Sequence, residues 1–194
     1  MKKIPTLFER VFEGHKIVGI TDKINPALEG VDISKLRPTI KVDGSCCAII
    51  NGRLFKRYDA KGKNIPAAAI LCQDEPDPVT GHFPCWMSCK ADDPADRWFW
   101  EAFKNTSDEI GCELSDGTYE AIGPHFQGNP YFLSADQLYK HGSVTTVVEM
   151  TFSAIKKWLE DHYEEGLVFW NENGPVCKIK RSDFGLEWNR RKNK

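Results

Sequence analysis

Short runs of apolar and β-branched residues, each closed by turn residues, recur along the chain and predict β-hairpins. The clearest has residues 45–50 leading into Asn51-Gly52 and residues 53–58 returning. Residues 110–114 run into Ser115-Asp116-Gly117 with 118–122 returning, and residues 167–170 run into 171–174 with 175–180 returning. Two stretches carry a helical period instead. Residues 94–104 follow Asp92-Asp93 and put Trp98, Phe99, Ala102 and Phe103 on one face; residues 153–163 align Ile155, Trp158, Leu159 and Tyr163. Such aromatic stripes read as core. The class is therefore mixed α+β. Residues 73–94, QDEPDPVTGHFPCWMSCKADDP, hold four prolines and predict a long inserted loop, either lying over a functional site or forming a surface excursion pinned by Trp86.

A chain of 194 residues suits one domain, 1–194, with a sizeable core. With 41% hydrophobic and 28% charged residues it falls in the range of ordinary globular proteins, which disfavours disordered, collagen-like and membrane classes. Glu9, Arg10, Glu13 and His15 interrupt the N-terminal stretch where a signal peptide needs an apolar region, so the expected location is cytoplasmic, without membrane attachment. The seven cysteines are odd in number, and the adjacent Cys46 and Cys47 are poorly placed to bridge to each other; reduced thiols are expected. The spacing of His82, Cys85 and Cys89, with Cys72 as a fourth candidate, admits a zinc reading but lacks the C-x2-C spacing of common structural sites.

The net charge is −2, but it is segregated along the chain. Residues 1–63 carry 13 Lys/Arg against 7 Asp/Glu, residues 64–177 carry 6 against 19, and residues 178–194 carry 7 against 2. Basic ends brought together would make a groove for phosphates; kept apart they are solvated surface.

The residues able to carry chemistry cluster in four strings. In TIKVDGSCCAII, Lys41 sits just before a hairpin strand, two residues from Asp43 and three from Gly44. An ε-amine with its charge suppressed can attack the α-phosphate of a nucleotide, and glycine lets the backbone turn tightly beside it. Arg57, on the returning strand, either holds phosphate or ribose oxygens or is an exposed strand arginine. Glu120 in GTYEAIG is a carboxylate among apolar neighbours, which calls for a partner or a function such as binding ribose hydroxyls. Glu165 precedes Gly166 and an apolar strand, a placement that suits holding a divalent cation. Lys178 and Lys180 alternate with Cys177 and Ile179, so both ammonium groups share a face: two inward lysines awaiting an anion, or one side of a surface strand.

The ordered set KVDG, YEAIG, EEGLVFW and CKIKRSDFG resembles motifs I, III, IV and V of the covalent nucleotidyltransferases, the superfamily of DNA ligases, RNA ligases and capping enzymes. With KVDGSCC, GHFPCW, IGPHFQGNPY and DFGLEW, the stretch from Lys41 to Trp188 is similar to the 5′-3′ RNA ligase family best known from vertebrates. The resemblance implies a minimal nucleotidyltransferase domain, ATP-grasp-like in layout, of two antiparallel sheets with flanking helices and no OB-fold. It implies ATP and Mg2+, or Mn2+, as cofactors, and RNA 5′-phosphate and 3′-hydroxyl ends as partners of a monomer. ATP would adenylate Lys41, AMP would pass to the 5′-phosphate, and the 3′-hydroxyl would displace AMP. By motif position Lys41 is the nucleophile, Glu120 binds ribose, Glu165 supports the metal and Lys178 contacts the α-phosphate, with Arg57 and Lys180 as further nucleotide contacts. Tyr139 and Phe132 are candidates for stacking on adenine. A GTP-using capping enzyme, a DNA ligase and a non-catalytic RNA-end binder are the rival expectations.

Overall fold

The computed structural model describes residues 2–14, 16–62, 64–78 and 80–188. In chain order the elements are β1 (Phe8–Glu13), β2 (Lys16–Ile24), β3 (Arg37–Lys41), β4 (Ser45–Ile50), β5 (Arg53–Lys61), β6 (Ile70–Leu71), β7 (His82–Ser88), α1 (Arg97–Ile110), β8 (Gly117–Ile122), β9 (Gln137–Lys140), α2 (Phe152–Asp161), β10 (Gly166–Asn171) and β11 (Gly174–Lys180). All strand pairings are antiparallel, in sheets of two, three and six strands, as an α+β protein requires. No helix among the described residues is long and apolar enough to cross a membrane. The chain divides into two compact units: residues 2–3 with Asp43–His141, and Ile4–Val42 with residues 142–188.

The first unit is built on the six-stranded sheet, ordered β6-β7-β5-β4-β8-β9. Asn51 and Gly52 both have positive φ, 50° and 69°, which is the turn geometry that joins β4 tightly to β5. Alternation along each strand then separates two faces. Cys47, Ile49, Leu54, Tyr119, Ala121 and Leu138 are buried on one face, with Ala102 of α1 and its aromatic stripe Trp98, Phe99 and Phe103 packed against them. Ala48, Phe55 and Trp86, with Cys46 against them, lie on the other.

The second unit holds the three-stranded sheet β11-β10-β3 and the β1-β2 hairpin. Its core joins Leu7, Phe8, Leu28 and Leu36 to Ile155, Trp158 and Leu159 of α2 and to Leu167, Phe169, Cys177 and Ile179 of the sheet. Each such fully buried side chain contributes roughly 1.5–3 kcal/mol relative to exposure. Residues 5–7 run beside β11: Lys178 donates its amide to Pro5 O at 3.0 Å and accepts from Leu7 at 2.8 Å. The N-terminal segment thus meets the last strand through main-chain bonds.

Three differences from the sequence reading have physical causes. Residues 110–114 are not a strand, because α1 continues to Ile110 and ends where Gly111 turns left-handed at φ 69°. The partners of β8 are instead β4 and β9, both distant in sequence. Within 73–94, His82–Ser88 is a seven-residue strand between β5 and β6, and Pro84 serves its ladder as an acceptor, its carbonyl taking the Cys72 amide at 2.9 Å. Lys41 closes β3 and, as the sequence predicts, lies just before the hairpin strand β4.

Candidate functional site

In the second unit the ends of the three strands bring four candidates together. Gly166 on the central strand pairs with Lys41 on one side and Lys180 on the other. Glu165, the residue before it, is 3% exposed, and its carboxylate bridges the two ammonium groups: Oε2 accepts from Lys41 Nζ, and Oε1 lies 2.6 Å from Lys180 Nζ. Lys41 also donates to the Val42 carbonyl at 3.4 Å. A Cβ on Gly166 would overlap the carbonyl oxygen of Ile179, so glycine is what lets β10 and β11 close around Glu165.

Lys178 sits two residues before Lys180 on β11, opposite Val168, while Cys177 and Ile179 point into the core. The alternation read from the sequence is therefore present. Burial pushes the Lys178 amine down to about 8, the positive charges of Lys180, Lys41 and Arg10 push the same way, and Glu165 opposes them. The end of β11 is fixed by Asp183, whose carboxylate accepts from the Lys180 amide at 2.9 Å and from Arg10 at 2.8 and 3.2 Å. Arg10 and Asp183 carried no sequence signal, because their pairing joins positions 173 residues apart.

In the first unit, Arg57 and Glu120 lie on the sheet face opposite α1. Directly opposed residues of an antiparallel pair share a face, and the registers Arg57↔Trp86, Cys46↔Glu120 and Glu120↔Tyr139 set these side chains along one row. Cys46 lies one step beyond the Cys47↔Lys56 pair, beside Arg57. Arg57 Nε donates to Asp59 at 2.8 Å. Glu120 Oε1 accepts from the Gly44 amide at 3.2 Å, and Oε2 lies 2.9 Å from His141 Nε2. A Cβ on Gly44 would overlap the carbonyl of Ala121, so this glycine serves the close approach of the Asp43-Gly44 backbone to β8. The next amide back, Asp43, donates to the Tyr131 hydroxyl at 2.7 Å. Of the two stacking candidates, Tyr139 is half-buried in this row, while Phe132 is 64% exposed in a loop at φ 55°.

His82, Cys85, Cys89 and Cys72 do not converge. His82 and Cys85 are three apart in a continuous strand and so face opposite ways. Among the described residues the donors that do converge are Cys46, Glu120 and His141. Reading the sequence missed His141; its one signal there was sharing strand parity with Tyr139.

No protein-family profile matches the chain. It is 24% identical to the protein named RNA ligase 1 of Danio rerio, the alignment covering 87% of this chain and 73% of that protein. The proteins of the same name from Pongo abelii and Mus musculus are each 24% identical, again over 87% of this chain and over 73% and 72% of their own lengths. The likeness is distant but nearly chain-long, and it bears out the resemblance stated from the sequence: this chain is distantly similar to the RNA ligase 1 proteins.

Proposed function

We propose that the protein is an ATP-dependent RNA ligase that works through a covalent adenylate on Lys41. The observation that carries this is the cluster at the strand ends of the three-stranded sheet: a lysine held by a buried carboxylate, with two further lysines on the adjacent strand facing the same charges. Three ammonium groups around one carboxylate leave an excess of positive charge, which a polyphosphate would neutralise. The similarity to proteins named RNA ligase 1 supports RNA ends as the substrate.

In the proposed reaction the neutral Lys41 amine forms a bond to the α-phosphorus of ATP while the bond to the pyrophosphate oxygen breaks. Pyrophosphate leaves, and the amine's remaining extra proton passes to solvent. AMP then passes to an RNA 5′-phosphate, and a 3′-hydroxyl displaces it. Lys178 neutralises charge building on the α-phosphate, with Lys180 beside it. Arg57 and Glu120 hold the nucleoside, the carboxylate accepting from ribose hydroxyls. Glu165, a buried carboxylate, offers the hard oxygen donor suited to Mg2+ or Mn2+, which when bound would supply positive charge to the phosphates.

Two protonation demands oppose each other. Attack requires Lys41 neutral, and charge neutralisation requires Lys178 protonated. The single-turnover rate of adenylation should rise with pH and then fall on the alkaline side, at or above about 8, where Lys178 loses its proton. Lys178→Arg, whose charge is fixed, should remove the falling limb. A profile flat across this range would overturn the assignment.

The decisive experiment offers the purified protein α-labelled ATP or GTP with Mg2+, denatures it and looks for label on the chain. Label from ATP, lost in Lys41→Ala, is the expected result. Label from GTP would make it a capping-type enzyme, and no label from either would leave an RNA-end binder.

A further inference from the structure

The first unit contains a donor set of which the proposed ligation chemistry uses only Glu120. Cys46 Sγ, a Glu120 carboxylate oxygen and a His141 ring nitrogen all lie within 4.8 Å of one another. They come from adjacent strands: Cys46 on β4 faces Glu120 on β8, and His141 follows β9 and donates its amide to the Thr118 carbonyl at 3.0 Å. The imidazole is already oriented. Its Nδ1 lies 2.9 Å from Thr118 Oγ1, which leaves Nε2 directed at Glu120 Oε2, also at 2.9 Å. A hydrogen-bonded second nitrogen is the usual support of a metal-binding histidine. Glu120 is held from the other side by the Gly44 amide on Oε1.

We propose that Cys46, Glu120 and His141 form a binding site for a soft divalent cation of the zinc class. Thiolate, imidazole and carboxylate together are a donor set that zinc accepts and that Mg2+ does not favour. Zinc–ligand bonds of about 2.0–2.3 Å in a tetrahedron put ligand atoms roughly 3.3–3.7 Å apart, so side-chain shifts of about 1 Å close these three on an ion. Three protein ligands leave the fourth position open, as in sites that exchange a ligand. Binding replaces the thiol proton of Cys46 with the metal. On the functional reading above, in which Glu120 binds ribose, a zinc ion on that carboxylate shuts ATP out.

Cobalt(II) is the optical probe. Titration of the purified protein should give one equivalent of bound Co2+ with thiolate-to-cobalt charge-transfer absorption, bleached by Zn2+, lost in Cys46→Ser and weakened in His141→Gln, while Cys112→Ser keeps it. No thiolate band, or a band that survives Cys46→Ser, overturns the site. A second measurement on the unaltered protein is independent of how the variants fold. Zn2+ should slow alkylation of Cys46, read by mass spectrometry, at least about tenfold, as a tightly bound thiolate requires, with recovery on chelation; an unchanged rate overturns the proposal. Zinc inhibition of adenylation that is absent in Cys46→Ser would extend the site to control of ATP binding. Cobalt binding decides the site itself, whatever becomes of the ligase reading.

Discussion

Gly44 and Gly166 show how single hydrogen atoms fix the positions of the two carboxylates. At each, a Cβ would meet a backbone carbonyl, Ala121 for the first and Ile179 for the second, and backbone cannot step aside as a side chain can. Gly44→Ala should therefore separate β4 from β8 or distort the segment that donates to Glu120, lowering stability by roughly 2–4 kcal/mol in denaturant titration. A loss within 0.5 kcal/mol would show that the segment relaxes freely. Lys178 makes a different residue-scale statement. Its amine is shifted down, so below about pH 8 the folded and unfolded chains both carry the charge and the folded one bears the full penalty. From about 8 to the ordinary lysine range the unfolded state alone holds the proton, and stability gains as pH rises. Lys178→Met should stabilise the ligand-free protein at pH 7, by up to about 3 kcal/mol from the size of the shift, with the gain shrinking as pH rises through that window. Melting temperatures of the two proteins at pH 7 and pH 9.5 check it; a difference independent of pH would mean that packing, not charge, separates them.

At the scale of elements, α1 depends on a carboxylate it does not use as a cap. Asp93 caps the short turn before it by accepting from Ala95 at 2.9 Å, while Asp96 is 1% exposed and bonds instead to the Lys90 amide at 2.9 Å and to Lys56 Nζ on β5. Asp96 thus ties the start of the helix to the sheet it covers. Asp96→Ala leaves a lysine and a main-chain amide without their partner and should cost about 3 kcal/mol. Asp96→Asn, which keeps the Lys90 bond, should cost less, and equal losses in thermal melts would assign the effect to packing alone. Asp92-Asp93 marked this helix in the sequence, as Asn51-Gly52 marked the β4-β5 hairpin, because caps and tight turns are local chemistry. The strand β7 was hidden by Pro84, and the true neighbours of β8 were hidden by distance along the chain. The same division runs through the candidate site. Lys178 and Lys180 share a face by alternation, which a reader of the sequence can count. Cys46, Glu120 and His141 meet only through cross-strand register, which depends on which strands become neighbours.

At the scale of the whole molecule, part of the basic charge segregated along the chain is neutralised inside each unit among the described residues. Lys3 lies 3.8 Å from Asp59 and 3.5 Å from Asp77, Arg57 pairs with Asp59, Lys56 with Asp96, Arg10 with Asp183, and Lys41 and Lys180 with Glu165. Each of these cations belongs to the basic first third or to the final strand, and each is paired with an acid of its own unit. On the proposed ligase reading, such an organisation would recognise a terminal phosphate through a few placed groups, not a long backbone through an open positive field. Each phosphate engaged on a single strand contributes about −0.7 to the slope of log affinity against log salt. For a 5′-phosphorylated RNA strand the expected slope is no steeper than about −2, the value for the end phosphate and one or two neighbours. Removing the 5′-phosphate should cost more affinity than shortening the strand. Arg190, Arg191, Lys192 and Lys194 lie outside the described residues, so the titration is run on both the full chain and residues 1–188. A slope steeper than about −4 in both would mean that the protein tracks an extended backbone, and end recognition by the lysine cluster would then be the wrong account of how it holds RNA.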